Sequence, residues 1–238
     1  MRPIILLLAA AAPIWAQQPP TFEVASVKPN VTDTGGGMRT QNDAIELENY
    51  SLRQLIQMAY RVRDYAYSGP SWLDSVHFDI VAKMPAGTKS DQRWEMMQAL
   101  LVERFKLAVH REEKMMPGLA LVVAKKGPRI KPVDPGPDLR RSGRYMIEGA
   151  KMPMAGFAEM LTDVLKAPVK DLTKLRGVYD IKIHWMPDGL APIDPSVGDV
   201  STSVYAAVQD QLGLKLQSQK LPVQILVVDH AERSPTGN

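Results

Sequence analysis

An internal repeat constrains this chain more than any other feature. Its first copy runs Ser51-Leu-Arg-Gln-Leu-Ile-Gln-Met-Ala-Tyr60, Phe78-Asp79-Ile80, a second helical stretch, Phe105-Lys106-Leu107, and Pro117 followed by Leu119 to Val123. The second copy returns in the same order with Phe157 to Leu165, Tyr179-Asp180-Ile181, a helical stretch, Leu214-Lys215-Leu216, and Pro222 followed by Val223 to Val228. The offset stays between 101 and 109 residues. One such match carries little; five in register are hard to obtain by chance.

Periodicity assigns the elements. Ser51 and Gln54 make a capping box, and Leu52, Leu55, Ile56 and Ala59 follow at helical spacing. The counterpart stripe is Phe157, Met160, Leu161 and Val164. Strict alternation then predicts strands burying Phe78, Ile80 and Ala82, and in the second copy Tyr179, Ile181 and Ile183. Second helices are expected from about Ser90 or Asp91, burying Met97, Leu100 and Leu101, and from about Ser201, burying Val204, Ala207, Val208 and Leu212. Each copy is expected to close with a hairpin, Lys106–Arg111 with Gly118–Ala124 and Leu214–Gln219 with Val223–Val228. A leading strand, Phe22 to Lys28, completes the first sheet or bridges to the second.

The predicted fold is therefore α+β: two tandem copies of a small unit, each a mixed or antiparallel sheet with two helices on one face. The expected domains are a signal peptide over 1–16, a first repeat over 17–124, a linker over 125–144 and a second repeat over 145–238. The linker carries Pro128, Pro132, Pro135, Gly136 and Pro137 with seven basic residues, Lys125, Lys126, Arg129, Lys131, Arg140, Arg141 and Arg144. Thr32 to Arg39, with Gly35-Gly36-Gly37, reads as a mobile loop, and Met186 to Val200 as a long loop.

The N-terminus reads as a secretory signal. Arg2 precedes a short apolar run, Ile4 to Ala12, and Pro13-Ile14-Trp15-Ala16 resembles a cleavage region, with the cut expected after Ala16 and an uncleaved anchor the alternative. The run falls well short of the ~20 apolar residues that span a bilayer, so no transmembrane segment is expected after cleavage. Export places the chain in the periplasm or outside the cell. With no cysteine, disulfides, thiolate metal sites and cysteine nucleophiles are excluded. The net charge of +3 is small and gives no reason to expect nucleic acid as a partner.

Longer stretches carry a resemblance. Phe22-Glu-Val-Ala-Ser-Val-Lys-Pro29, Trp72-Leu73-Asp74, Phe78-Asp-Ile-Val-Ala-Lys83, Arg104-Phe-Lys-Leu107, Leu121-Val-Val-Ala-Lys125, Leu212-Gly-Leu-Lys-Leu216 and Val227-Val-Asp-His-Ala-Glu-Arg233 resemble an uncharacterised secreted family expanded in soil acidobacteria. Some members carry the domain behind a membrane metallopeptidase of the BlaR/MecR antirepressor kind, which implies an extracytoplasmic sensing or interaction role. The element order is also similar to the short N-terminal domains of secretins and TonB-dependent receptors, an analogy of order alone.

No reaction chemistry stands out. His77, His110, His184 and His230 show no ligand spacing, and neither a Gly-x-Ser-x-Gly elbow nor a phosphate-binding Lys-Ser/Thr is present. No catalytic, cofactor or metal residue is expected. Asp79 and Asp180 hold the same strand position; each reads as a partner for a neighbouring base or loop amide, with acid–base catalysis the alternative. Tyr60, Tyr65, Tyr67 and Trp72 follow the first helix closely. With the two aspartates they are the candidate ligand groove, against the plainer reading that Trp72 and Tyr60 plug the gap between helix and sheet. Of the thirteen methionines, Met115, Met116, Met152 and Met154 can make an adaptable surface or fill the core.

The expected function is a non-catalytic protein- or peptide-binding or sensing module of the envelope, taking an envelope protein or peptide by strand addition. A hydrolase of envelope polysaccharide or peptide and a self-assembling structural component are the alternatives. The oligomeric state is left open.

Overall fold

The computed structural model describes residues 20–32, 35–186 and 203–237, so the signal and most of the 186–200 loop lie outside the described residues. In chain order the strands are β1 (Val24–Asn30), β2 (Gly37–Gln41), β3 (Ala44–Ser51), β4 (Tyr67–Ser68), β5 (His77–Lys83), β6 (Ala108–Val123), β7 (Pro132–Val133), β8 (Leu139–Gly143), β9 (Met146–Pro153), β10 (Val169–Asp171), β11 (Val178–His184) and β12 (Leu214–His230). The helices are α1 (Leu52–Tyr60), α2 (Ser90–Phe105), α3 (Met154–Leu165) and α4 (Val204–Leu212). The fold is α+β, with three mostly antiparallel sheets. Among the described residues no helix is long and apolar enough to cross a membrane.

Two compact units are present. One is made by the chain up to His110 together with the segment from Val227; the other is Arg111–Leu226.

The first unit holds a sheet of order β1-β5-β3-β2. The leading strand thus completes this sheet, pairing antiparallel with β5. The capping box forms as the sequence predicts: Gln54 N–H donates to Ser51 Oγ at 3.2 Å, and Ser51 N–H donates to Gln54 Oε1 at 2.8 Å. Leu52, Leu55, Ile56 and Ala59 are buried, as are Phe78, Ile80 and Ala82. From α2 come Met96, Met97, Leu100, Leu101 and Phe105. Phe105 stands edge-on to Phe78 with ring centroids 4.8 Å apart.

The second unit is built around a sheet of order β7-β11-β9-β8. Its core gathers Phe157, Met160 and Leu161 of α3, Val204, Ala207, Val208 and Leu212 of α4, and Tyr179, Ile181 and Ile183 of β11. Leu119 and Leu121 of β6 and Leu214 and Leu216 of β12 close it. Ser203 caps α4, accepting from Ala206 N–H at 3.2 Å. Met152 and Met154 are buried core residues, whereas Met115 is exposed.

Three expectations are corrected. The closing hairpins do not form: each stretch is one long strand, β6 of 16 residues and β12 of 17, neighbours in a sheet of order β10-β6-β12-β4. Pro117 and Pro222 lie inside them. Proline is tolerated in a strand where its missing N–H faces no partner, and the outer neighbours β10 and β4 are only three and two residues long. The first unit takes the start of β6 and the end of β12; the second takes the rest. The 125–144 stretch, expected as a linker, supplies β7 and β8 to the second unit's sheet. Gly37 to Arg39, expected in a mobile loop, are strand β2. There the dipeptide Asn42-Asp43, with φ 48° and 58°, makes a tight two-residue turn that suits strand twist.

Candidate functional site

The six residues expected to form a groove do different jobs. Asp79 Oδ1 accepts Asn30 Nδ2–H at 2.7 Å and the backbone N–H of Asn49 at 2.9 Å. Asp180, in the other unit, accepts the backbone N–H of Lys151 at 3.0 Å. Each carboxylate serves a strand irregularity beside a helix start, which agrees with the loop-amide reading.

Tyr60 ends α1, Tyr67 begins β4, and Tyr65 and Trp72 lie in the short helical turns on either side of β4. Tyr67 is half-buried beneath the Arg53 guanidinium, 5.1 Å from its ring centroid. Burial pushes its phenol from about 10 up to about 12, against the pull of Arg53. Arg53 also holds Asp74 at 3.2 Å and Asp64 at 3.5 Å, tying two short turns to α1. Trp72 is half-buried under Arg233, 5.1 Å from its centroid. Its neighbour in that turn, Leu73, is fully buried. Tyr60 and Tyr65 are half-buried.

The histidines are dispersed. His110 Nδ1 contacts both carboxylate oxygens of Asp229 at 2.8 and 2.9 Å. His184 sits on the helix-free face, 3.8 Å from Glu148. Among the described residues no group of His, Asp and Glu side chains is arranged to hold a metal ion.

The open features are the sheet edges. β2 and β8 each end a sheet, are five residues long, and are exposed at every position. Each has an arginine at its centre opposite a glutamate of the adjoining strand: Arg39 faces Glu46, and Arg141 faces Glu148. Beside β8 an open depression of about 560 Å³ is lined by Leu139, Arg141, Glu148, Asp180 and Lys182 among others. Beside β2 a smaller one of about 360 Å³ is lined by Gly35 to Gly37, Arg39, Glu46, Glu48, Asp79 and Val81 among others. Gly36 is required there, because a Cβ would run into the Glu48 carbonyl oxygen. A further depression, about 470 Å³, lies between the start of β1 and α2 over Met96, Ala99 and Leu100. The edge strand β1 is blunted further along by Lys28 and Pro29, residues that discourage pairing.

On β8 successive arginines face opposite ways. Arg140 turns to the helix side, where it bonds Asp138 at 2.7 Å and Glu159 of α3 at 2.9 Å. Asp138 is held below the usual carboxylate range by this bond. Gly156 makes room, since a Cβ there would strike the guanidinium. Arg141 turns to the helix-free face, where Glu148 accepts from it at 3.0 Å and from Lys182 at 3.2 Å. The Lys182 hydrogen bond, with help from Arg141 and His184, holds the Glu148 carboxyl below its ordinary range.

Sequence reasoning passed over these edges. The available signal was the pair Arg39 and Glu46 recurring as Arg141 and Glu148 at identical spacing. Its two arginines lie in stretches that read as loop and linker.

Neither a curated protein nor a solved structure matches the chain. Residues 53–231 match the family described as "Protein of unknown function (DUF3738)". That span runs from α1 past the end of β12 and takes in β8, Arg141, Asp79 and Asp180. It covers more than half of the sequence, and the chain belongs to this family.

Proposed function

We propose that this is an exported protein of the cell envelope, acting in the periplasm or outside the cell as a non-catalytic module that takes up a protein or peptide segment by strand addition. One observation carries the reading: two of the three four-stranded sheets end in a short, fully exposed hairpin strand, β2 or β8, with an open depression alongside. An unpaired strand offers a row of backbone donors and acceptors, which is the means by which extended peptides dock. The signal-like N-terminus supports export. The resemblance to domains carried behind antirepressor-type metallopeptidases supports a sensing use, exercised here in trans. The hydrolase alternative needs Asp79 and Asp180 for acid–base work, and both already hold backbone N–H groups.

The edge geometry supplies the test. The two-residue turn of the β8–β9 hairpin closes on Gly143 and Met146. Antiparallel alternation then aims the backbone groups of Arg140 and Ser142 out of the sheet. Ser142→Pro removes one outward donor and none directed at β9. A photo-cross-linking residue at Thr40 or at Leu139, introduced in the native envelope, is expected to trap one polypeptide, and Ser142→Pro to abolish the adduct at Leu139. Adducts to the protein itself alone, or an adduct indifferent to Ser142→Pro, overturn strand addition at β8.

A further inference from the structure

Resting on the strand-addition reading, we infer that the segment accepted at β8 is acidic: an extended peptide that sets a carboxylate against Arg141 and an apolar side chain against Leu139.

Charge alternates across the sheet. Lys182 of β11 is in register with Glu148 of β9, which is in register with Arg141 of β8. The row reads plus, minus, plus, and ends at an open edge. Opposite charges directly across neighbouring strands stabilise a sheet, and like charges destabilise it. The next strand continues the alternation only if it brings a carboxylate.

Arg141 has capacity for it. Its side chain is 74% exposed, and the bond to Glu148 uses Nη2 alone. A guanidinium carries five N–H donors, enough for a second carboxylate. Glu148 is already shared by Lys182 and Arg141, so the row holds more positive than negative charge.

Backbone alternation favours the same contact. With Arg140 and Ser142 making the outward bonds, Arg141 falls at a non-hydrogen-bonded position relative to the added strand, where facing side chains come closest. Two positions away on the same face, Leu139 is 66% exposed and lines the same depression. An antiparallel ligand therefore reads acidic, any residue, apolar, in that direction.

The same row weighs against a second copy of this chain. Centred antiparallel pairing of β8 with itself puts Arg141 opposite Arg141, and β2 paired with itself does so with Arg39. Such charges are a known means of keeping edges from associating.

The test uses the mature full-length protein and two capped synthetic peptides, Ser-Thr-Thr-Glu-Thr-Val-Thr-Ser and the same sequence with Lys in place of Glu. Titration is followed at the Ser142 amide by two-dimensional NMR. The Glu peptide is expected to shift this amide and to bind about five-fold more tightly than the Lys peptide, in line with exposed ion-pair strengths of up to ~1 kcal/mol. Arg141→Glu is expected to reverse the preference. Equal binding, or preference for Lys, overturns the acidic inference and leaves strand addition standing. If neither peptide moves Ser142, or if the protein dimerises through β8 instead, strand addition at this edge fails.

Discussion

The Oδ1 atom of Asp180 accepts the backbone N–H of Lys151 at 3.0 Å, where β9 slips in register against β11. Asp79 does the same for Asn49 at 2.9 Å, where β3 slips against β5. Both donor residues have left-handed backbones, with φ 55° for Lys151 and 56° for Asn49. A bulge takes an N–H out of its ladder, and a carboxylate on the next strand restores its partner. Asp79→Ala is expected to cost ~1–3 kcal/mol, because Asp79 is half-buried and also holds Asn30. Asp180→Ala, at an exposed site, is expected to cost under ~1 kcal/mol. Lys151→Gly is expected to gain ~0.5 kcal/mol by relieving the left-handed backbone, and Asn49→Gly less, since asparagine tolerates it. Urea unfolding checks all four, and a larger loss at Asp180 than at Asp79 contradicts the account.

Alkali is expected to destabilise the first unit through Tyr67. Its folded-state value is raised from about 10 to about 12, so the unfolded chain releases this proton first. The contribution is complete below pH 10 and is lost as pH rises toward 12. Absorbance titration of phenolate, comparing the wild type with Tyr67→Phe, should show one tyrosine ionising late. The late component is expected to be absent from Tyr67→Phe and to vanish from the wild type on unfolding; its persistence in Tyr67→Phe contradicts the assignment.

Acid acts in the second unit through Glu148. Its folded value is depressed, chiefly by the Lys182 hydrogen bond, so its contribution is present above the unfolded value and disappears as pH falls through the folded one. Glu148→Gln should flatten that part of the stability profile. An unchanged acid limb between the two proteins would show that the row stabilises nothing.

The C-terminal segment finishes helix α2. Glu232 N–H donates to the Phe105 carbonyl and Thr236 N–H to the Arg104 carbonyl, each at 2.7 Å, while Thr236 Oγ1 donates to Glu103 at 3.3 Å. Three carbonyls of the last turn, which no helix can satisfy internally, thereby gain partners. Removing residues 232–238 is expected to cost ~2–3 kcal/mol at about 1 kcal/mol net per bond. Hydrogen exchange should localise the loosening to the end of α2.

Sequence periodicity reveals buried faces, and this decides what could be read from it. Leu52, Leu55, Ile56 and Ala59 announce α1, and Val204, Ala207, Val208 and Leu212 announce α4, because each stripe enters a core. The α+β class follows from such stripes. β2 and β8 are wet on all sides, so Gly37–Gln41 and Leu139–Gly143 carry no alternation to detect. The long strands failed for a different reason. In β6, Leu119 to Leu121 are buried but His110 to Met115 are exposed, so a single strand gives two separate apolar signals. Alternation also names a strand's faces without naming its neighbour. Hence Ala108–His110 and Gly118–Val123 looked like partners when each belongs to a different unit.

That division of β6 and β12 sets an order of events. A polypeptide delivered from its N-terminus releases His110 long before Val227, yet the first unit needs both. Its last strand arrives only after nearly every other residue of the chain has emerged. The earliest-made half is thus the last to be sealed, and pairings this distant in sequence form slowly. A chain ended before Val227 leaves the first half with an open flank while holding every residue of the second unit, so proteolysis of such a product is expected to begin in the first half.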